Sequence, residues 1–143
     1  MFFDIERRRP VRIFEEIKER WGEWSVDSID IDSSKKIAAI DNPASALKFR
    51  VNKYDTDMYK HVNNIRYLEW VVESVPDEII DNYYLHSIDG RFIGEANYGE
   101  TVVSLSKFDA NDNTFMHTVK TEGTDLICAT AKSVWGKVGA KII

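Results

Sequence analysis

The densest group of side chains with possible chemistry lies between residues 55 and 70, which read DTDMYKHVNNIRYLEW. The first ten of these residues include two aspartates, a histidine and two asparagines. Carboxylate and imidazole groups accept and donate protons, and carboxamides donate hydrogen bonds to polarised oxygens. Because such groups are costly to bury without partners, this segment is poor packing material and favours a site of acid–base chemistry.

Three side chains are candidates for that chemistry, and each also has a structural interpretation. His61 could be a loop histidine satisfied by nearby carboxylates, and Asp57 could be a turn residue. Glu95 follows in a segment of strand character, where an unpartnered carboxylate is costly to bury; its structural alternative is a solvent-facing strand residue. Asp55 is predicted to be structural, because aspartate readily accepts hydrogen bonds from the backbone of its own loop.

Two elements are predicted to position this segment. Before it, residues 46–51 alternate apolar and polar side chains, which predicts a half-buried strand. After it, Asn63 or Asn64 can cap a helix by accepting from its free N–H groups, and Pro76 ends that helix. The helix carries an apolar stripe at helical spacing, made of Tyr67, Leu68, Trp70, Val71, Val72 and Val75.

The remaining pattern predicts an α+β fold in which one long helix packs on an antiparallel β-sheet. Residues 1–13 favour a strand and residues 15–21 a short helix, while residues 23–45 are mostly irregular with a short strand at 37–40. Short polar or glycine-containing breaks predict that the later strands are antiparallel neighbours joined by hairpins. These strands are expected at 85–97, 101–108, 114–120 and 126–135.

Composition excludes several classes of function. The net charge of −5 argues against nonspecific nucleic-acid binding, which uses a basic surface. The single cysteine, Cys128, excludes an intramolecular disulfide, and the three histidines lack ligand spacing, so no metal site is predicted. No apolar run reaches the length of a membrane span, and the N-terminus lacks the apolar stretch of a secretory signal. A cytoplasmic location is therefore expected.

The pattern DxDMxxHVNNxxYxxW over residues 55–70 resembles the acyl-ACP thioesterases of fatty acid synthesis. Two other segments resemble the same family in the same order, residues 4–13 (DIERRRPVRI) and residues 92–96 (FIGEA). The resemblance implies the hot-dog fold and the hydrolysis of fatty acyl thioesters, most directly those carried by acyl carrier protein. Such hydrolysis needs an activated water and a stabilised oxyanion, and it needs no cofactor.

The resemblance also implies roles for individual residues. The family's aspartate corresponds to Asp57, its histidine to His61 and its catalytic glutamate to Glu95. The family's asparagine, two residues before the histidine, is replaced by Tyr59. A tyrosine hydroxyl can both donate and accept a hydrogen bond, but from a longer and bulkier arm. Tyr59 therefore either takes over the donor role or occupies the position of the acyl group or the water.

Members of the family carry two hot-dog repeats in one chain, and this sequence resembles part of that arrangement. Residues 1–22 resemble the last strand and short helix of a first repeat, residues 23–45 a linker, and residues 46–143 a complete second repeat. Because a single repeat exposes a sheet edge, a homodimer is expected. The basic cluster Arg7–Arg9 is either solvated surface or a docking patch for an acidic partner.

Three other functions stay open at this point. A noncatalytic domain could bind an acyl group or its carrier, or complete a site with a separate first-repeat chain. The same fold could hydrolyse acyl-CoA in place of acyl-ACP. A hot-dog dehydratase would pair a histidine with an acid on the helix, for which Glu69 and Glu73 are available.

Overall fold

The computed structural model describes residues 2–4, 9–12, 14–21 and 35–137, and the chain divides into two compact units between Ser34 and Lys35. Among its described residues, the first unit contains two short antiparallel strands and one helix, namely β1 (Phe2–Asp4), β2 (Arg9–Val11) and α1 (Glu15–Trp21). The helix predicted over residues 15–21 is confirmed. The single strand predicted over residues 1–13 is replaced by the two strands of this pair.

The second unit is an antiparallel sheet of five strands with one long helix packed on it. Its strands are β3 (Ser45–Arg50), β4 (Tyr83–Phe92), β5 (Thr101–Asp109), β6 (Thr114–Thr121) and β7 (Ile127–Lys137). Its helices are α2 (Asn64–Glu73) and α3 (Asp77–Asn82). The strand order β3-β5-β6-β7-β4 places β3 and β4 at the two edges. This layout confirms the predicted α+β fold.

Helix α2 lies on the sheet because one side of it is apolar. Tyr67, Trp70 and Val71 are buried in the core between helix and sheet. Trp70 stacks on Phe49 of β3 with 5.9 Å between ring centroids, and Tyr67 meets Trp70 edge-on at 5.4 Å. Burying one such aromatic side chain stabilises the fold by about 2 to 3 kcal/mol. The predicted apolar stripe is therefore the core-facing side of the helix.

The ends of α2 follow its local sequence. Asn63 is the N-cap, and its side-chain oxygen accepts a hydrogen bond from the N–H of Ile65 at 3.1 Å, which confirms the predicted capping. At the other end the N–H of Ser74 donates to the carbonyl of Trp70. Pro76, which has no N–H to donate, stands immediately before the further turn of α3.

The strand predicted over residues 85–97 is wrong in its length, and it does not pair with the next strand in sequence as predicted. Strand β4 ends at Phe92 and pairs with β7, so residues 93–100 must cross both β7 and β6 to reach β5. Glu95 consequently lies in a loop and not in a strand. The turn at Gly99, with φ +86°, ends this crossover, whereas the two later breaks do form the predicted hairpins β5–β6 and β6–β7.

The strand predicted at residues 37–40 is also absent. This segment is irregular, and the N–H of Ile40 donates to the side-chain oxygen of Thr118 on β6, so a central strand provides its partner. A strand forms a ladder of backbone hydrogen bonds along a free sheet edge. The bond from Ile40 reaches a side chain on a central strand, so it starts no such ladder. Residues 23–34 of the predicted linker lie outside the described residues, as do Arg7 and Arg8. The boundaries of remnant, linker and second repeat therefore stay predictions.

Candidate functional site

The polar segment forms a loop that closes on itself between β3 and α2. Thr56 and Val62 form an isolated antiparallel bridge across its base. Next to this bridge, the N–H of Asp57 donates to the carbonyl of His61 at 2.8 Å. The N–H of Lys60 returns to the carbonyl of Asp57 at 3.0 Å, and Lys60 has a left-handed φ of +67°. These bonds satisfy the loop backbone internally and hold its tip in one conformation.

Asp57 acts on the backbone of this loop. One carboxylate oxygen accepts from the N–H of Tyr59 at 2.8 Å and from the N–H of His61 at 3.1 Å. Within the part of the chain that the structure describes, Asp57 makes no bond to the imidazole ring. Its geometry therefore supports a positioning role, in which the carboxylate shapes the turn that presents His61.

Asp55 is structural, as predicted. Its carboxylate accepts from the N–H of Asn52 at 2.6 Å and lies 3.3 Å from the guanidinium Nε of Arg66. Its carbonyl also accepts from the N–H of Asn63, the cap of α2. Asp55 thereby joins the turn after β3 to the first turn of α2.

The structure brings His61 and Glu95 together, although they are distant in sequence. His61 Nδ1 lies 2.9 Å from Glu95 Oε1, and the two side chains are 40% and 58% exposed. With its proton on Nδ1, the imidazole donates to the carboxylate and keeps Nε2 as a proton acceptor. No described residue bonds to Nε2. A substrate that approaches the protein surface can therefore reach both the Glu95 carboxylate and the free ring nitrogen of His61.

Two bonds to the sheet hold the loop that carries Glu95. The N–H groups of Ile93 and Gly94 both donate to the carbonyl of Cys128 on β7, at 2.8 and 3.2 Å. A side chain at Gly94 would place its Cβ 2.8 Å from the carbonyl oxygen of Ile127, which is closer than real Cβ contacts come. Glycine is therefore required here for the chain to pass so close to β7.

A third bond ties the same loop to helix α2. The N–H of Ala96 donates to the hydroxyl of Tyr67 at 3.0 Å, and both residues are buried. Burial raises the pKa of Tyr67 to about 12, so its hydroxyl stays neutral at physiological pH. Sequence reasoning assigned Tyr67 to core packing and missed this bond. A signal was available, because a buried tyrosine needs a partner for its hydroxyl where a phenylalanine would not.

Tyr59 is placed at the loop tip and is 65% exposed. Its backbone N–H is held by Asp57, while its hydroxyl has no hydrogen bond to any described residue. The neighbouring Met58 is still more exposed. The structure therefore unites His61 with Glu95, and places Tyr59 beside that pair in sequence without bonding it to either side chain.

Other chemical groups are accounted for by the fold. Cys128 and His117 are buried in the sheet. Glu69 is engaged on the helix surface, where it forms an ion pair with Arg66 at 2.6 Å. Among the described residues, no group of three or more His, Cys, Asp or Glu side chains could hold a metal ion. No helix in the described ranges is long and apolar enough to cross a membrane.

Comparison with known proteins places the chain in a family. Residues 37–137 match the model of the acyl-ACP thioesterase C-terminal domain. The chain belongs to this family. Its match begins before β3 and runs to the end of β7, so it includes both the His61 loop and the Glu95 loop.

The curated relatives of this family member are longer proteins. It is 29% identical over 123 residues to oleoyl-acyl carrier protein thioesterase 1, chloroplastic, of Arabidopsis thaliana, which covers 73% of this chain and 34% of the relative. It is 35% identical over 94 residues to oleoyl-acyl carrier protein thioesterase 2, chloroplastic, of the same plant, covering 64% of this chain and 26% of the relative. The chain thus spans about a third of the relatives' length or less.

Solved structures confirm the predicted hot-dog fold. The 12:0-ACP thioesterase from Umbellularia californica matches with a TM-score of 0.72 at 21% identity, over 94% of this chain and 53% of that chain. An acyl-ACP thioesterase from Bacteroides thetaiotaomicron matches with a TM-score of 0.68 at 19% identity, over 93% and 52%. In both, the matched region is about half of the larger protein.

Proposed function

We propose that this chain hydrolyses fatty acyl thioesters, with acyl-ACP as the leading substrate, and releases a free fatty acid. The observation that carries the proposal is the His61–Glu95 pair at 2.9 Å, inside a domain of the acyl-ACP thioesterase family. The thioesterase names of the curated relatives support it. Acyl-CoA presents the same thioester and is the alternative substrate. A cytoplasmic location stays a prediction, and the relatives carry chloroplastic names.

The mechanism assigns one task to each member of the pair. The Glu95 carboxylate accepts a proton from a water molecule while the water oxygen attacks the thioester carbonyl carbon. The tetrahedral intermediate then collapses, the C–S bond breaks, and the electron pair leaves on sulfur. Glu95 gives the proton it took from the water to the departing thiolate, which leaves as a thiol, while the Nδ1–H of His61 donates to the Glu95 carboxylate and holds it in place. Each step uses water and side chains of this chain, so the mechanism needs no cofactor or metal.

The replacement of the family's asparagine supplies the first test of this function. We expect the wild-type chain to release thiol from acyl-ACP slowly, and Tyr59→Asn to raise kcat by roughly 10- to 100-fold. The upper value is about the smallest effect seen for one oxyanion donor, and the asparagine carboxamide provides such a donor on a shorter arm. The measurement is thiol release from acyl-ACP and acyl-CoA of equal chain length.

Tyr54→Asn is the matched control, because Tyr54 is an exposed tyrosine before the same loop, and it should leave kcat unchanged. An inert wild type whose Tyr59→Asn variant is active would favour the noncatalytic interpretation for the natural chain. Inactivity of both proteins on both thioesters would contradict the hydrolytic proposal altogether.

We further propose that two copies of this chain pair to complete the site. In one copy the reactive pair is open to solvent, and the adjacent strand β4 has one edge that no described strand pairs with. Apolar side chains on β4 and in the loop after it are exposed, namely Tyr84, Leu85, Phe92 and Ile93. Pairing of β4 with a second β4 would satisfy the edge, cover these side chains and lie next to Glu95.

The homodimer is tested by its mass in solution. We expect light scattering to give twice the chain mass of 16.5 kDa, and Leu85→Lys on β4 to shift the protein toward monomer. The reason is that a lysine charge buried in an apolar interface without a partner is costly. Leu47→Lys is the matched control, because Leu47 is 40% exposed on the opposite edge strand β3, against 36% for Leu85. A monomeric wild type, or equal effects of the two variants, would contradict pairing through β4.

A further inference from the structure

We propose that Tyr67 is a positioning residue for Glu95, a role that rests on the hydrolytic function proposed above. Its hydroxyl accepts the N–H of Ala96 at 3.0 Å, and the tyrosine is 1% exposed. Ala96 follows Glu95 directly and is equally buried. The bond therefore fixes the peptide unit on the C-terminal side of the proposed base.

The Glu95 loop is held from two directions. On its N-terminal side, the N–H groups of residues 93 and 94 donate to the Cys128 carbonyl of the sheet. On its C-terminal side, the bond to Tyr67 is the one that reaches the helix. Glu95 is the residue between these two anchors. Without the Tyr67 hydroxyl, the base would keep its anchor at residues 93 and 94, but the next tie to the rest of the domain on its C-terminal side would be at Gly99, whose N–H donates to the carbonyl of Val51.

The same helix also sets the position of His61. Helix α2 begins at Asn64, its cap Asn63 accepts from the N–H of Ile65, and the His61 loop enters directly before that cap. Tyr67 lies in the first turn after the cap. A single rigid element thus presents the histidine through its N-terminus and holds the glutamate through one hydroxyl. The 2.9 Å separation of the reactive pair depends on both connections.

Packing alone does not require this hydroxyl. The tyrosine ring already fills its place in the core through its edge-on contact with Trp70 and a tilted contact with Phe92. A phenylalanine ring would make the same two contacts. What the hydroxyl adds is an acceptor for a buried backbone N–H, which would otherwise be left without a partner. The added atom therefore serves the loop, and it also lies within hydrogen-bonding reach of the buried Cys128 thiol.

The test compares Tyr67→Phe with Ser106→Ala, because each deletes one buried hydroxyl and one hydrogen bond. Ser106 is 1% exposed, and its hydroxyl donates to the carbonyl of Ser74 at 2.7 Å, at the opposite end of α2. We expect Tyr67→Phe to lower kcat roughly 10- to 100-fold, since small displacements of catalytic groups have effects of this size. KM should change less than about twofold, and Ser106→Ala should retain both constants within about twofold.

Two spectroscopic measurements make the outcome independent of activity. Hydrogen exchange of the Ala96 amide should be slow in the wild type and in Ser106→Ala, and at least tenfold faster in Tyr67→Phe. The 15N shift of His61 Nδ1 should move only in Tyr67→Phe, because that nitrogen donates to Glu95. If neither the wild type nor either variant hydrolyses a thioester, the function proposed above fails. The exchange rate of the Ala96 amide and the His61 15N shift would still test the positioning role of Tyr67.

Three results would overturn the role of Tyr67. The first is rapid exchange of the Ala96 amide in the wild type, which would show that the anchor is not formed in solution. The second is a Tyr67→Phe variant with wild-type kcat and an unshifted His61 resonance. The third is an equal loss of kcat in Ser106→Ala, which would assign the effect to general destabilisation.

Discussion

Substitution of Glu95 by glutamine should lower kcat for acyl thioester hydrolysis by about 10²- to 10⁴-fold, the range in which general bases contribute. Glutamine has nearly the same shape and can still accept a hydrogen bond from His61 Nδ1 through its carbonyl oxygen. It cannot take a proton from water near neutral pH. Thiol release under saturating acyl-ACP, compared with the wild type at equal protein concentration, measures the effect.

Glu69→Gln is the control for this substitution, because Glu69 is a half-exposed glutamate on α2 that pairs with Arg66. We expect it to keep wild-type kcat. It also tests the dehydratase interpretation, in which an acid on the helix would do the chemistry. If Glu95→Gln keeps kcat within about twofold of the wild type, Glu95 is not the general base. If only Glu69→Gln loses activity, the acid group of the reaction lies on helix α2, as the dehydratase interpretation requires.

Acidification should destabilise the protein through His117 more than through any exposed histidine. His117 is fully buried, its Nε2 shares a hydrogen bond with Ser133 Oγ at 2.8 Å, and its Nδ1 has no partner among the described residues. Burial without a counter-charge disfavours the imidazolium and lowers the pKa of His117 from 6.5 to about 4. The folded protein therefore favours the neutral form of the His117 ring.

The direction in which pH changes the free energy of unfolding follows from the difference between the His117 pKa of the folded and the unfolded state. Because the pKa is lower in the folded state than in the unfolded state, the unfolded chain takes up the proton first as pH falls. The stabilising contribution is thus fully present above pH 6.5 and is lost as pH falls toward 4. Since a tenfold change in proton affinity corresponds to about 1.4 kcal/mol, the loss amounts to at most about 3 kcal/mol.

Urea unfolding at pH 7 and at pH 4.5 measures this effect as a difference between variants. His117→Gln cannot titrate, so its free energy of unfolding should fall by about 2 kcal/mol less over that interval than that of the wild type. Carboxylates contribute equally to both proteins and cancel in the comparison. His86→Gln, at an exposed position of β4, should follow the wild type. Parallel pH curves for His117→Gln and wild type would contradict a neutral buried His117.

The local elements of this fold could be predicted because their signals are local. The capping by Asn63, the apolar stripe from Tyr67 to Val75 and the turns that join β5, β6 and β7 all operate within a few residues. Strand order is different, because it is decided by which edges remain free. The pattern predicts strands over residues 85–97 and 101–108 joined by a hairpin, yet the eight residues after β4 cross two strands to reach β5.

The site was predictable to a similar depth. The meeting of His61 with Glu95 followed from the resemblance of two separate segments to one family, and no spacing rule relates residues so far apart. The backbone role of Asp57 and the anchoring role of Tyr67 could not be assigned in the same way. Both depend on which N–H group faces a given oxygen after folding, and that geometry is set by the packing of α2 on the sheet.

In the self-closed loop between β3 and α2, the hydrogen bonds that hold the tip do not involve the side chains that the tip exposes. Its bridge, its internal backbone bonds and the Asp57 carboxylate use main-chain atoms of residues 56–62, so the outward side chains at 58 and 59 take no part in holding it. Evolution can therefore change those two side chains while the histidine keeps its place. Tyr59, at the position where the family resemblance implies an asparagine, is one of these two side chains, and the tip is a natural target for redesigning substrate choice.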